Sequence, residues 1–394
     1  MTINPPGAHS EHETFSLVDG DVLARVMARL GLMSPRQPRL ARRAILFALV
    51  AWLPVAIWAV IHKTALAGTV DEPLFEHFGI HVRGLIAIPL LVIAEASVRK
   101  TMPPMLGYFC TSGLVTQADE ARFASILTDV RRVRDRSLPW VIIAGVVVAW
   151  VLSGTVKHEF HELRWAEEPG GSIGFGGWWY MLVTRPIFVT LALAWLWRLA
   201  LLCILFARIG KLPLALVPTH PDHAGGLRFV ERFASMFSLV ILALSSVVAA
   251  EWAHQVQYHA LEVATLKIDA ALLIVIVAGT FLLPYLFFLP RMAAVRKEAE
   301  FNYANLVGQQ GRLVHARWIE GREVKDTRLF EAGELGPVAD TATIYELVRK
   351  MGFIPIGKRA LVATLAPILV PVIVVVSMQV PLKGVLIKLL GALA

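Results

Sequence analysis

Seven stretches of the chain are apolar almost without interruption: Ala44–Ile61, Ile80–Ser97, Leu138–Val156, Tyr180–Phe206, Phe229–Ala250, Ile268–Leu289 and Leu361–Met378. Most run for roughly 18 to 22 residues, the length at which a helix crosses a hydrocarbon core of about 30 Å. Pro54, Pro89, Pro186 and Pro284 fall inside them. Proline is tolerated in a membrane helix where neighbouring groups take up the freed carbonyls, so these residues bend spans without cancelling them. Trp140, Trp178 and Trp179 flank the runs as interfacial anchors. The pattern predicts an all-α fold, a polytopic transmembrane helical bundle of six to seven spans. The last run is the open one. Pro367, Pro371 and Pro381 punctuate it and a further apolar stretch, Val385–Ala394, follows, so it either spans or forms a re-entrant hairpin.

The polar segments divide the chain into four units. Residues 1–43 form an N-terminal segment, 44–289 the six-span core, 290–360 a helical region, and 361–394 the seventh span or hairpin. Helical periodicity appears outside the spans. Val22, Val26, Met27 and Leu30 interleave with Arg25 and Arg29, and Phe123, Ile126, Leu127, Val130 and Val133 lie beside Arg131, Arg132 and Arg134. Such amphipathic helices either lie on the inner membrane surface or pack on the bundle. A further helix is expected over Asp340–Met351, with Asp340 as its N-cap.

Composition agrees with this reading and charge orients it. Of 394 residues, 56% are hydrophobic and only 17% charged, where a soluble protein carries about 25% charged residues. Basic residues alternate strictly between loops: 29 Lys and Arg lie on the side that includes the N-terminal segment, and five on the other. The positive-inside rule makes the basic side cytoplasmic. The net charge of +8 is therefore a topology signal, and no nucleic-acid partner is expected. The expected partners are the lipid bilayer, a second copy in a homo-oligomer, and a cytoplasmic protein. The two cysteines, Cys110 in a cytoplasmic loop and Cys203 in a span, provide neither a structural disulfide nor a cysteine metal site.

Between the fourth and fifth spans the chain reads Pro218-Thr219-His220-Pro221-Asp222-His223-Ala224-Gly225-Gly226-Leu227. With the Pro-interrupted apolar C-terminal region and the Tyr345–Arg349 helix, this segment resembles multi-pass bacterial inner-membrane proteins of no assigned activity. The resemblance implies a bacterial inner-membrane location and transfers no functional residue. Physically the segment is a turn and a helix start. Pro221 fixes φ, Asp222 can cap, and Gly225 and Gly226 allow unusual dihedrals. It serves either as a connector or as an ion or anion site using His220, Asp222, His223 and free backbone N–H groups.

Orientation gathers seven of the twelve histidines on the outer side: His62, His77, His81, His158, His161, His254 and His259. His158 and His161 are spaced to share a helix face, with Glu162 alongside. Glu251 and His254 form a Glu-x-x-His pair, the spacing used in bundle metal sites, and Asp269 begins the next span at similar depth. Imidazole and carboxylate suit a divalent transition metal such as Zn²⁺. His158-Glu159-Phe160-His161 lacks the four-residue spacing of a zinc-protease helix, so no protease is implied. The competing readings are a solvated acidic and histidine surface, or proton sensing.

Within the spans, Glu95 and Arg198 fall at matching depth toward the cytoplasm and are expected to pair between the second and fourth helices. They either fix helix register or line a pathway. Three functions follow: a transporter or channel for a small ion, foremost a metal cation or proton; a membrane-embedded metal-dependent enzyme acting through the outer His/Glu site; or a sensor or scaffold. No catalytic motif is recognisable.

Overall fold

The computed structural model describes residues 15–29, 31, 40–66, 72–156, 160–168, 170–323 and 336–379, with main chain only for 153–156, 160–162 and 336–339. Among these the fold is all-α. Seven helices are long and apolar enough to cross a membrane. We label the helices α1 (Val22–Arg29), α2 (Leu40–Ile61), α3 (Phe78–Thr111), α4 (Glu120–Asp135), α5 (Leu138–Val156), α6 (Phe175–Ile209), α7 (Arg228–Tyr258), α8 (Val263–Ile319), α9 (Gly336–Lys350) and α10 (Lys358–Gln379).

Each apolar run becomes a helix, and three departures from ideal geometry sit at prolines. In α3 a wide π-turn occupies Val82–Ala87, just ahead of Pro89. In α6 a second occupies Tyr180–Thr184, ahead of Pro186. Proline has no N–H to donate to the carbonyl four residues earlier and its ring clashes with that carbonyl, so the preceding turn widens to make room. In α8, Pro284 falls within a tighter 3-10 stretch, Leu283–Phe288. The last apolar run is one continuous helix, α10, despite Pro367 and Pro371. The hairpin alternative concerned residues to 394, of which 380–394 lie outside the described residues.

Helix α7 is the hub. It packs on α3 and on α10, while α2 lies along α3. The shared core holds Leu91, Trp195, Phe206, Phe237 and Phe288, none of them exposed beyond 1%. Helix α5 rests chiefly on α6 and turns Val141, Ile142, Val146 and Val148 outward, an apolar face that suits lipid.

Two polar segments differ from the sequence expectation. Residues beyond Ser97 do not form a loop: α3 continues to Thr111, because Met102, Leu106 and Phe109 keep the helical spacing and are fully buried. Cys110 therefore lies in a helix, and both cysteines are free thiols. Helix α9 begins at Gly336, four positions ahead of the expected Asp340 cap. Pro337 falls in its first turn, where a missing N–H has no consequence. The amphipathic helices α1 and α4 form where periodicity placed them, and both pack on the bundle, burying Met27 on α1 and Phe123, Leu127 and Val130 on α4.

Candidate metal centre

After α2 ends, the chain doubles back. Leu74 N–H donates to Thr64 O at 3.0 Å and Phe75 N–H to Ala65 O at 3.2 Å. Pro73 presets φ for a 3-10 turn over Leu74–Glu76, anchored by the fully buried Leu74. Glu72 and His77 bracket this turn, so both side chains emerge on one edge of it.

The end of α7 meets that edge. The Phe78 and Tyr258 rings lie 5.9 Å apart, and the His77 and His254 rings stack at 5.0 Å with 23° between their planes. Ligand atoms of Glu72, His77 and His254 all lie within 4.8 Å of one another. Glu72 Oε2 is 3.9 Å from His77 Nε2, while its Oε1 is 3.5 Å from Arg164 Nη1. His77 is 4% exposed and His254 9%.

One hydrogen bond sets the chemistry of His254. Its Nδ1 lies 2.9 Å from Glu76 O. A carbonyl only accepts, so Nδ1 carries the proton and Nε2 presents a lone pair. A ring N–H held by a backbone carbonyl in this way orients an imidazole for metal binding. Two imidazoles and one carboxylate are a zinc ligand set. Bonds of about 2.0–2.1 Å place tetrahedral ligands about 3.3 Å apart, so the three groups need only a modest contraction.

Other histidines that the sequence assigns to the outer side are engaged locally. His81 Nδ1 accepts from Trp52 Nε1 at 2.8 Å, and its Nε2 donates to Leu74 O at 3.0 Å. His62 stacks on Trp58 at 4.2 Å. Among the described side chains of the sequence-predicted set, only His254 joins the trio. Glu251 is exposed, and its carboxylate accepts from Gln255 Nε2 at 3.3 Å. Asp269 is exposed in the first turn of its helix. His158 lies outside the described residues, as do the side chains of His161 and Glu162. Arg164, further along the chain, touches Glu72. Glu72 and His77 belong to a loop, where helical spacing carries no signal; the available hint was an acid and a histidine flanking a proline-led turn.

The Glu95–Arg198 pair forms, at 3.4 Å, within a larger network. Arg43 Nη1 donates to Glu95 Oε2 at 2.9 Å and Arg198 Nη2 to Asp21 Oδ2 at 3.0 Å. All four side chains are at most 4% exposed. Arg99 also approaches Glu95 Oε2 at 3.6 Å and is itself paired with Asp19 at 2.8 Å, so three carboxylates balance three guanidinium groups, the condition under which buried charge is tolerated. Asp21 also caps α1, accepting from Ala24 N–H at 2.6 Å. The network thus fastens the N-terminal segment to the bundle.

In the 218–227 segment, Asp222 Oδ1 accepts from the N–H groups of Ala224 at 2.8 Å and Gly226 at 3.1 Å, and Oδ2 from Arg228 N–H at 3.1 Å. His220 Nδ1 lies 2.9 Å from Oδ1. Burial pushes the Asp222 carboxyl up, but the three N–H donors and His220 outweigh it and hold the group below its usual value. His223, Gly225 and Gly226 have φ of 55°, 65° and 94°, the left-handed geometry that the glycines permit. The amides expected to receive an anion are spent on Asp222, and Gly352 N–H donates to His223 O at 2.8 Å. The segment is built as a connector locking the chain ahead of α10.

The chain matches no family model, no curated protein and no solved structure, so the reading of the site rests on its own geometry.

Proposed function

We propose that the protein is a membrane transporter for a divalent transition metal ion, with Zn²⁺ the best-fitting cargo. Glu72, His77 and His254 form its loading site on the outer side of a bacterial inner membrane. The observation that carries this reading is the convergence of the three ligand groups within 4.8 Å, with His254 Nδ1 held by Glu76 O at 2.9 Å. Orientation follows from the split of basic residues, which puts the N-terminal segment in the cytoplasm. The π-turns ahead of Pro89 and Pro186 support transport, since interrupted spans recur where membrane helices handle ions. So does the buried network of Asp21, Arg43, Glu95 and Arg198, because ionisable groups inside a bundle mark pathways and gates.

The test is flux. Proteoliposomes containing the full chain and a zinc-sensitive dye should admit Zn²⁺ down a gradient, and His77→Ala and His254→Ala should abolish the signal. Absence of flux for Zn²⁺, Mn²⁺, Fe²⁺ and protons would reject transport. A second reading has one specific observation in its favour: three protein ligands leave a fourth position open, as in catalytic zinc sites. Bound metal without flux would move the assignment to a membrane-embedded metal-dependent enzyme.

A further inference from the structure

Helix α7 ends in an unusual cap five residues beyond His254. His259 N–H donates to Gln255 O at 3.0 Å, and Leu261 N–H reaches the same carbonyl at 3.3 Å. Between them Ala260 adopts φ +51°. A helix ordinarily places glycine at such a left-handed cap, and an alanine there costs about 1 kcal/mol or more. The geometry turns the chain back on itself and brings the His259 ring to 5.2 Å from the His254 ring, edge-on at 71°.

The backbone around His259 is pinned from the far side as well. Gln379, the last residue of α10, accepts from Val263 N–H at 2.8 Å and donates to Leu261 O at 2.8 Å. His259 is exposed, and apart from its edge contact with His254 its ring lacks the burial that fixes His77 and His254. Exposed side chains change rotamer in picoseconds to nanoseconds.

We propose that His259 is the fourth metal ligand. Its ring turns inward when the ion arrives and closes the centre as three imidazoles and one carboxylate. The proposal rests on the metal reading of Glu72, His77 and His254. A four-ligand shell completed by a mobile outermost residue suits an ion that must enter and be released. Strain at Ala260 keeps that residue in reach, as backbone strain at functional sites does.

The experiment is X-ray absorption at the zinc edge on the full chain in detergent, with affinity measured against a chromogenic chelator. Wild type should show three imidazoles and one oxygen donor. His259→Ala and His259→Gln should each show two imidazoles and bind Zn²⁺ about tenfold or more weakly, while still taking up the ion. His77→Ala should lose it altogether. Unchanged imidazole count and affinity in both His259 variants would overturn the fourth-ligand proposal and leave the three-ligand site standing. No zinc in wild type would overturn both.

Discussion

His254 Nδ1 donates to the carbonyl oxygen of Glu76 across 2.9 Å, joining residues 178 positions apart in sequence. This contact ties the end of α7 to the turn before α3 and selects the imidazole tautomer. It separates the structural role of the ring from its role as a ligand. His254→Phe keeps an aromatic ring against His77 and Tyr258 and removes the nitrogens. We expect it to abolish zinc binding while costing only the lost hydrogen bond, about 0.5–1.5 kcal/mol. Zinc titration alongside thermal melting of the solubilised protein measures both.

Zinc should stabilise the protein, because a ligand that binds only the folded state adds stability by mass action. The gain is about 2.7 kcal/mol at a hundredfold excess over Kd. Acidification should erase the gain, since protons compete for imidazole and carboxylate. The melting shift produced by zinc, followed downward from neutral pH, checks this; a pH-independent shift contradicts it.

The network around Glu95 predicts a hierarchy. Glu95→Gln leaves Arg43 and Arg198 short of a shared carboxylate, and breaking such a buried pair costs about 3–5 kcal/mol. Asp21→Ala removes one partner of Arg198 and the cap of α1 together, so the N-terminal segment should loosen first. Limited proteolysis should cut Asp21→Ala within 15–29 under conditions that spare wild type.

Asp222 gives a pH-dependent prediction with a definite sign. Its carboxyl is held below its usual value in the folded protein. The stabilisation is therefore fully present above that value and is lost as pH falls through the lower folded value. Asp222→Ala leaves three N–H groups without their acceptor and should cost about 1–3 kcal/mol at neutral pH. The difference from wild type should shrink in strong acid. Melting curves of both proteins from pH 7 downward test this.

Much of the fold was legible in the sequence because the bilayer imposes length and apolarity on each span. The Glu95–Arg198 pair was legible for a related reason: charge inside a span must find charge. Arg43 and Asp21 were not, since a basic residue at a span's end reads as a topology signal and an acidic helix start reads as a cap. In the metal trio, the sequence put His254 in a metal site and gathered His77 among the outer histidines, while Glu72 went unmarked. The partners of His254 come from a turn, and the contact between that turn and a helix end is set by packing of α3 on α7, which no local spacing reveals. Glu251 has the right spacing to His254, yet it is exposed and bonded to Gln255. The Asp222 segment shows the opposite case, in which a suggestive motif spends its polar groups on its own backbone.

The most direct measurement is the metal content of the purified full-length protein after equilibration with Zn²⁺, compared with His77→Ala and His254→Ala. The account predicts stoichiometric zinc in wild type and its loss in each variant. Absence of stoichiometric zinc in wild type, or equal occupancy in the variants, would contradict it.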